Sequence, residues 1–186
     1  VQDVREAKQQ ARVGLAIADG DIHPRPKSPK DFDPYLSQRW REHFATYGMI
    51  PRHQYQAGPA YPKGNPDASR RDAYPPGGRP GSDLEFMRKQ LLDPCNIEFG
   101  VLNAITPAPG AAQNLGLSIA LSRALNEWQV AEWTEKESRL KASIVVPYED
   151  GASAAKEIDH WGGNPHFVQV LMMSRTADPM GQRRYW

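Results

Sequence analysis

Apolar positions along the chain alternate between short compact runs and stretches in which they recur every three or four residues. The first compact run, Leu15 to His23, starts apolar and passes into Asp19, Asp21 and His23 before Pro24 and Pro26 stop regular pairing. It predicts a buried strand that ends by presenting a carboxylate and an imidazole. Leu36, Trp40 and Phe44 follow at four-residue steps, which predicts a helix over Pro34 to Tyr47. Ser82 with Glu85 three residues on reads as a capping box, and Leu84, Met87 and Leu91 continue it as a helix that Pro94 ends. Ile97 to Leu102 is a short apolar run between breakers and suits a strand buried on both sides.

The strongest periodic stretch runs from about Leu115 to Glu135, where Leu117, Leu121, Leu125 and Trp128 mark one face of a helix laid on a sheet. A β-branched run at Ile144, Val145 and Val146 predicts a third strand, Leu140 to Pro147. A short helix over 152–161 ends at the GGNP of 162–165, and a fourth strand, His166 to Ser174, follows at once. After it no further element is expected. Strands alternating with helices require a parallel sheet, since each parallel crossover needs a connecting element. The fold class is therefore α/β, with chemistry expected at the carboxyl ends of the strands: His23 to Arg25, Asn103 to Thr106, Pro147 to Glu149 and Met172 to Arg175.

Two stretches stand outside this alternation. Residues 2–12 are polar and read as a solvated arm. Residues 48–82 hold 13 Gly or Pro among 35, with interspersed tyrosines and arginines, so they cannot fill a core and read as one long irregular loop. His53 and the tyrosines of that loop are candidates for a lid over the site.

Composition changes this picture only by exclusion. The 186 residues carry 23 basic and 22 acidic side chains, dispersed among one another, which gives no footprint for nucleic acid or a membrane surface. Nowhere do eighteen apolar residues run together. Cys95, the lone cysteine, rules out an intrachain disulfide and is expected to be a small buried residue in a reducing, cytoplasmic protein.

The segments DGDIHPRP, PYLSQRWREHF, GVLN, LNEWQVAEWTEKESRLKASIVVP and NPHFVQVLMMSRTADPMGQRRYW resemble the metal-dependent hydrolases of the amidohydrolase superfamily, in the branch that includes aminocarboxymuconate semialdehyde decarboxylase. The resemblance implies a (β/α)8 TIM-type barrel. This chain would supply about the first four strand–helix units over 15–186, preceded by the arm at 1–14. It also implies a divalent metal, zinc above all, with His23 matching the first histidine of a His-x-His ligand pair. Arg25 stands where the second would be, a guanidinium that stays protonated and does not ordinarily ligate metal.

On this reading His23 is the metal ligand and Asp21 the catalytic carboxylate. Arg25, Asn103 and Arg175 are the substrate-binding residues, the arginines suited to a substrate carboxylate. The implied activity is hydrolysis of an amide, ester or C–C bond, or decarboxylation, of a small, carboxylated substrate. The alternative is a non-catalytic half-barrel subunit that stabilises a partner carrying the chemistry. Four strands of a closed barrel leave two open edges, so the remainder of the barrel is expected from the same or a second chain, and an oligomer is expected with it.

Overall fold

A computed structural model describes residues 14–48, 69–111, 114–172 and 176–185. Four strands, β1 (Ile17–Ile22), β2 (Ile97–Leu102), β3 (Leu140–Val145) and β4 (Phe167–Leu171), form one sheet in the order β1-β2-β3-β4, every pair parallel. Between them lie α1 (Gln38–Tyr47), α2 (Leu84–Met87), α3 (Leu115–Gln129) and α4 (Gly151–Trp161). This is the expected alternation, and spatial order follows chain order as in a partial (β/α)8 barrel.

The helices form for local reasons that the chain spells out. Asn114 caps α3 by accepting the Leu117 N–H, and Asp150 caps α4 by accepting that of Ser153. The α3 face at Leu117, Leu121, Leu125 and Trp128 is buried against the sheet, each side chain contributing about 1.5–3 kcal/mol by removal from water. Both α2 and α3 loosen at their ends into π-turns, Arg88–Leu92 and Val130–Thr134, which end them short of the expected boundaries. Phe32, fully buried, meets the Trp128 ring at 5.7 Å and closes the core over α3.

Several expectations are corrected. The helix expected from Pro34 begins at Gln38, because a 3-10 helix, Pro29–Tyr35, precedes it with its own capping box between Ser28 and Asp31. Asp83, one residue after the expected Ser82, caps α2 by accepting the Phe86 N–H, and the Ser82 hydroxyl is buried without a hydrogen-bond partner among the described residues. A 3-10 turn, Arg183–Tyr185, lies in the tail that was expected to hold no element. Cys95 is exposed rather than buried, since it falls in the turn before β2 and not in the strand.

β1 is not the buried strand expected. Leu15 and Ile17 are 66% and 39% exposed, because β1 has a neighbour on one side only. β4 is the other edge, and Val168 and Val170 are exposed on it. The central strands β2 and β3 carry the buried positions, although Phe99 of β2 stands exposed. The arm at 2–12, and His53, Tyr55 and Tyr61 of the loop, lie outside the described residues. No described helix is long and apolar enough to cross a membrane.

Candidate active site

The carboxyl end of β1 is held from two sides. On one, Gly81 packs against the strand exit: the Arg25 N–H donates to Gly81 C=O at 2.7 Å, and a Cβ at Gly81 would lie 2.1 Å from His23 C=O. With φ at +77°, the position suits glycine alone. On the other side the Asn103 N–H donates to Ile22 C=O at 2.7 Å and draws the end of β2 against β1.

Asp21 lies on β1 and His23 is the first residue beyond it, and the two side chains come together at the strand exit. His23 Nδ1 donates to the backbone carbonyl of Asn103 at 3.0 Å, which fixes the ring and leaves Nε2 as the nitrogen open to other groups. Asp21 Oδ1 lies 3.4 Å from that Nε2 and accepts from Asn103 Nδ2 at 2.8 Å. The same amide nitrogen donates to Gly20 C=O at 3.1 Å. Asp19 Oδ1 in turn accepts the Asp21 N–H at 3.0 Å. Both His23 and Asp21 are open to solvent, at 46% and 71% side-chain exposure.

They line a cleft of about 330 Å³ together with Asp19, Arg25, Met87 and Gln90. Arg25 also lines a second, larger cleft of about 730 Å³ with Lys27, Asp83 and Trp128. The structure thus brings Asp21, His23, Arg25 and Asn103 to one end of the sheet, whereas Arg175 lies outside the described residues.

Three polar groups that the sequence reading did not single out complete the picture. Ser143 of β3 and Gln169 of β4 both donate to Asn103 Oδ1, at 2.7 and 3.2 Å. Glu149, just beyond β3, is buried and accepts from the Ala177 N–H, Arg184 Nη2 and Tyr185 Oη, at 2.6, 3.1 and 2.8 Å. It thereby ties residues 177–185 to the chain just beyond β3. Glu149 falls within a strand end that the pattern marks as chemically interesting, but its partners lie 28 to 36 residues further on.

A catalytic zinc takes three protein ligands and keeps one open position. His23 has the tether of a ligand histidine, its other nitrogen donating to a carbonyl. Among the described residues, however, no three His, Cys, Asp or Glu side chains converge as a metal-holding group. The described residues do not by themselves fit a metal.

Four parallel strands in chain order with helices between them are the arrangement of a partial (β/α)8 barrel. The chain belongs to the amidohydrolase family: the family model described as Amidohydrolase matches residues 18–186. Membership points to an enzyme of the amidohydrolase type, a family in which a divalent metal is typical. No curated protein matches the chain.

Proposed function

We propose that the chain is the first half of an amidohydrolase-type enzyme that cleaves a small carboxylated molecule, by hydrolysis of an amide, ester or C–C bond or by decarboxylation. The observation that carries this reading is the pairing of His23 Nε2 with Asp21 Oδ1 at the mouth of a cleft that Arg25 also lines. An imidazole with its other nitrogen tied to a carbonyl is fixed to act through Nε2, as a base or as a ligand. Arg25 supplies a guanidinium at that mouth for a substrate carboxylate. Decarboxylation stays within the proposal because the sequence resembles the branch of the family that carries it out.

A divalent metal, zinc by preference, belongs to the proposal through His23 and the family, with the further ligands supplied by the remainder of the barrel, in the same or a second chain. The open edges β1 and β4 favour an oligomer, and the lone Cys95 favours a reducing, cytoplasmic location.

The test uses the full-length protein and its His23→Ala variant, with metal content read by elemental analysis and turnover read on a panel of small aromatic and aliphatic carboxylates. About one equivalent of metal, lost in the variant together with turnover, supports the reading. Equal metal content and no turnover in both proteins would favour the half-barrel subunit without chemistry of its own, the reading to which Arg25 in place of a second histidine also speaks.

A further inference from the structure

Asn103 touches the site twice, once through its backbone and once through its side chain. Its carbonyl accepts from His23 Nδ1, and its amide nitrogen donates to Asp21 Oδ1 and to Gly20 C=O. A carboxylate and a carbonyl can only accept, so the amide must turn its NH2 toward β1 and its oxygen toward β3. There Ser143 Oγ donates to Asn103 Oδ1, and Gln169 Nε2 donates both to that oxygen and, at 3.0 Å, to Ser143 Oγ.

Donation therefore runs one way across four strands, from Gln169 through Ser143 and Asn103 to the carboxylate of Asp21, and each bond polarises the next. The inner members are buried, with Ser143 at 0% and Asn103 at 8% exposure, whereas the terminal carboxylate is open to water. Two donors and two acceptors are engaged, so the Asn103 amide has its full complement of protein partners and no position left for a substrate.

We propose that Asn103 is the positioning residue of this site, oriented by Ser143 and Gln169, and that it holds Asp21 beside His23 Nε2. On this proposal Asn103 acts on the substrate indirectly, through Asp21 and His23. The inference rests on the proposed enzyme reading for its purpose, but not for its geometry. Without the amide donor, Asp21 turns toward water and His23 Nε2 loses its neighbour.

The test compares full-length wild type with Asp21→Asn, Asn103→Ala and the double variant, each with nitrogen-15 in its histidines, at one fixed pH. His23 is assigned by the resonance missing from His23→Ala. Asn103→Ala and Asp21→Asn are expected to move the Nε2 resonance in the same direction, and the double variant no further than Asp21→Asn alone. On a substrate that turns over, kcat should fall about 10- to 100-fold in Asn103→Ala with KM nearly unchanged, the range seen when the partner of an active-site group is removed.

Ser143→Ala should give a smaller shift of the same sign, and Ser143→Thr, which keeps the hydroxyl, should restore the wild-type resonance. An Nε2 resonance unmoved in Asn103→Ala, or shifts that add in the double variant, would overturn the proposal. If Asn103→Ala does not fold, the Ser143 pair decides: equal spectra for Ala and Thr overturn it. The resonance needs no turnover, so absence of all activity counts against the enzyme reading while the spectra still judge the positioning.

Discussion

Glu137 and His23 sit at opposite ends of one sheet, and each is surrounded by charge in a different way. Glu137, just ahead of β3, is 7% exposed and takes Arg139 Nε and Nη2 at 2.8 and 2.9 Å and Arg88 Nε at 2.8 Å. Arg139 reaches on to Asp93, and Arg88 to Glu85 and the Lys136 carbonyl. His23 and Asp21, at the carboxyl ends, are close but open to water. The Glu137 charge ahead of β3 is matched and largely covered, which stabilises; the Asp21–His23 pair at the end of β1 stays accessible, which leaves it free to react. Barrels commonly divide stability and chemistry between their two faces in this way.

The sharpest way to break the comparison is Glu137→Ala. It leaves two guanidiniums without their shared carboxylate and should cost about 3 kcal/mol, since removal of one partner from an enclosed ion pair strands the other. Chemical denaturation measures the loss, and the His23 resonances at the other end should be unaffected. A midpoint equal to wild type would show that the amino-end cluster is ornamental.

Acid probes the same group without mutation. Hydrogen bonds from Arg139 and then Arg88 outweigh burial and hold the Glu137 carboxyl at about 2, below its ordinary 4.5. The folded pKa is the lower one, so the stabilisation is complete above about pH 4.5 and is lost as pH falls through about 2. Up to about 3 kcal/mol is at stake. Denaturation midpoints across that window should fall in wild type and stay flat in Glu137→Gln, once the remaining carboxylates common to both are subtracted.

Gly81→Ala should cost a comparable amount, about 1–3 kcal/mol from the positive φ alone, with the clash against the His23 backbone C=O added to it. Its signature is local: the His23 resonances should move as the strand exit is pushed aside. His23→Ala should change the denaturation midpoint by at most about 0.5 kcal/mol, being half exposed, while abolishing whatever turnover the site supports. Equal losses for His23→Ala and Glu137→Ala would erase the distinction between the two ends. Smallest of all, Cys95 should react with a thiol reagent in the folded protein at the rate of an exposed thiol and with no change in stability.

The pairing of Asp21 with His23 was legible in the sequence because the expected strand ran to His23, and a spacing of two on a strand puts both on one face. The alternation of strands and helices was legible for the same reason, as periods of two and 3.6 are local properties. The network behind the pair was not legible. Asn103 just past β2, Ser143 on β3 and Gln169 on β4 are 40 and 26 residues apart, and only the register of the sheet brings them together. Glu149 was hidden in the same way by the distance to Arg184 and Tyr185. The cap of α2 was missed for a different reason: Ser82 and Asp83 are adjacent and both suited to capping, and local pattern does not choose between them. The exposure of β1 follows from its place at an edge, which no run of apolar residues reveals.

Strand order that follows chain order also sets the order in which the sheet can close. β3 meets β4 through Ala142 and Phe167, 25 residues apart, and β2 meets β3 through Gly100 and Leu140, 40 apart. β1 meets β2 first through Ile17 and Ile97, 80 apart. Closing the longest of these loops costs about 1 kcal/mol more in chain entropy than closing the shortest. Pulsed hydrogen exchange during refolding should therefore protect the amides of β3 and β4 before those of β1. The strand that carries His23 and Asp21 docks last, onto a sheet whose register is already set.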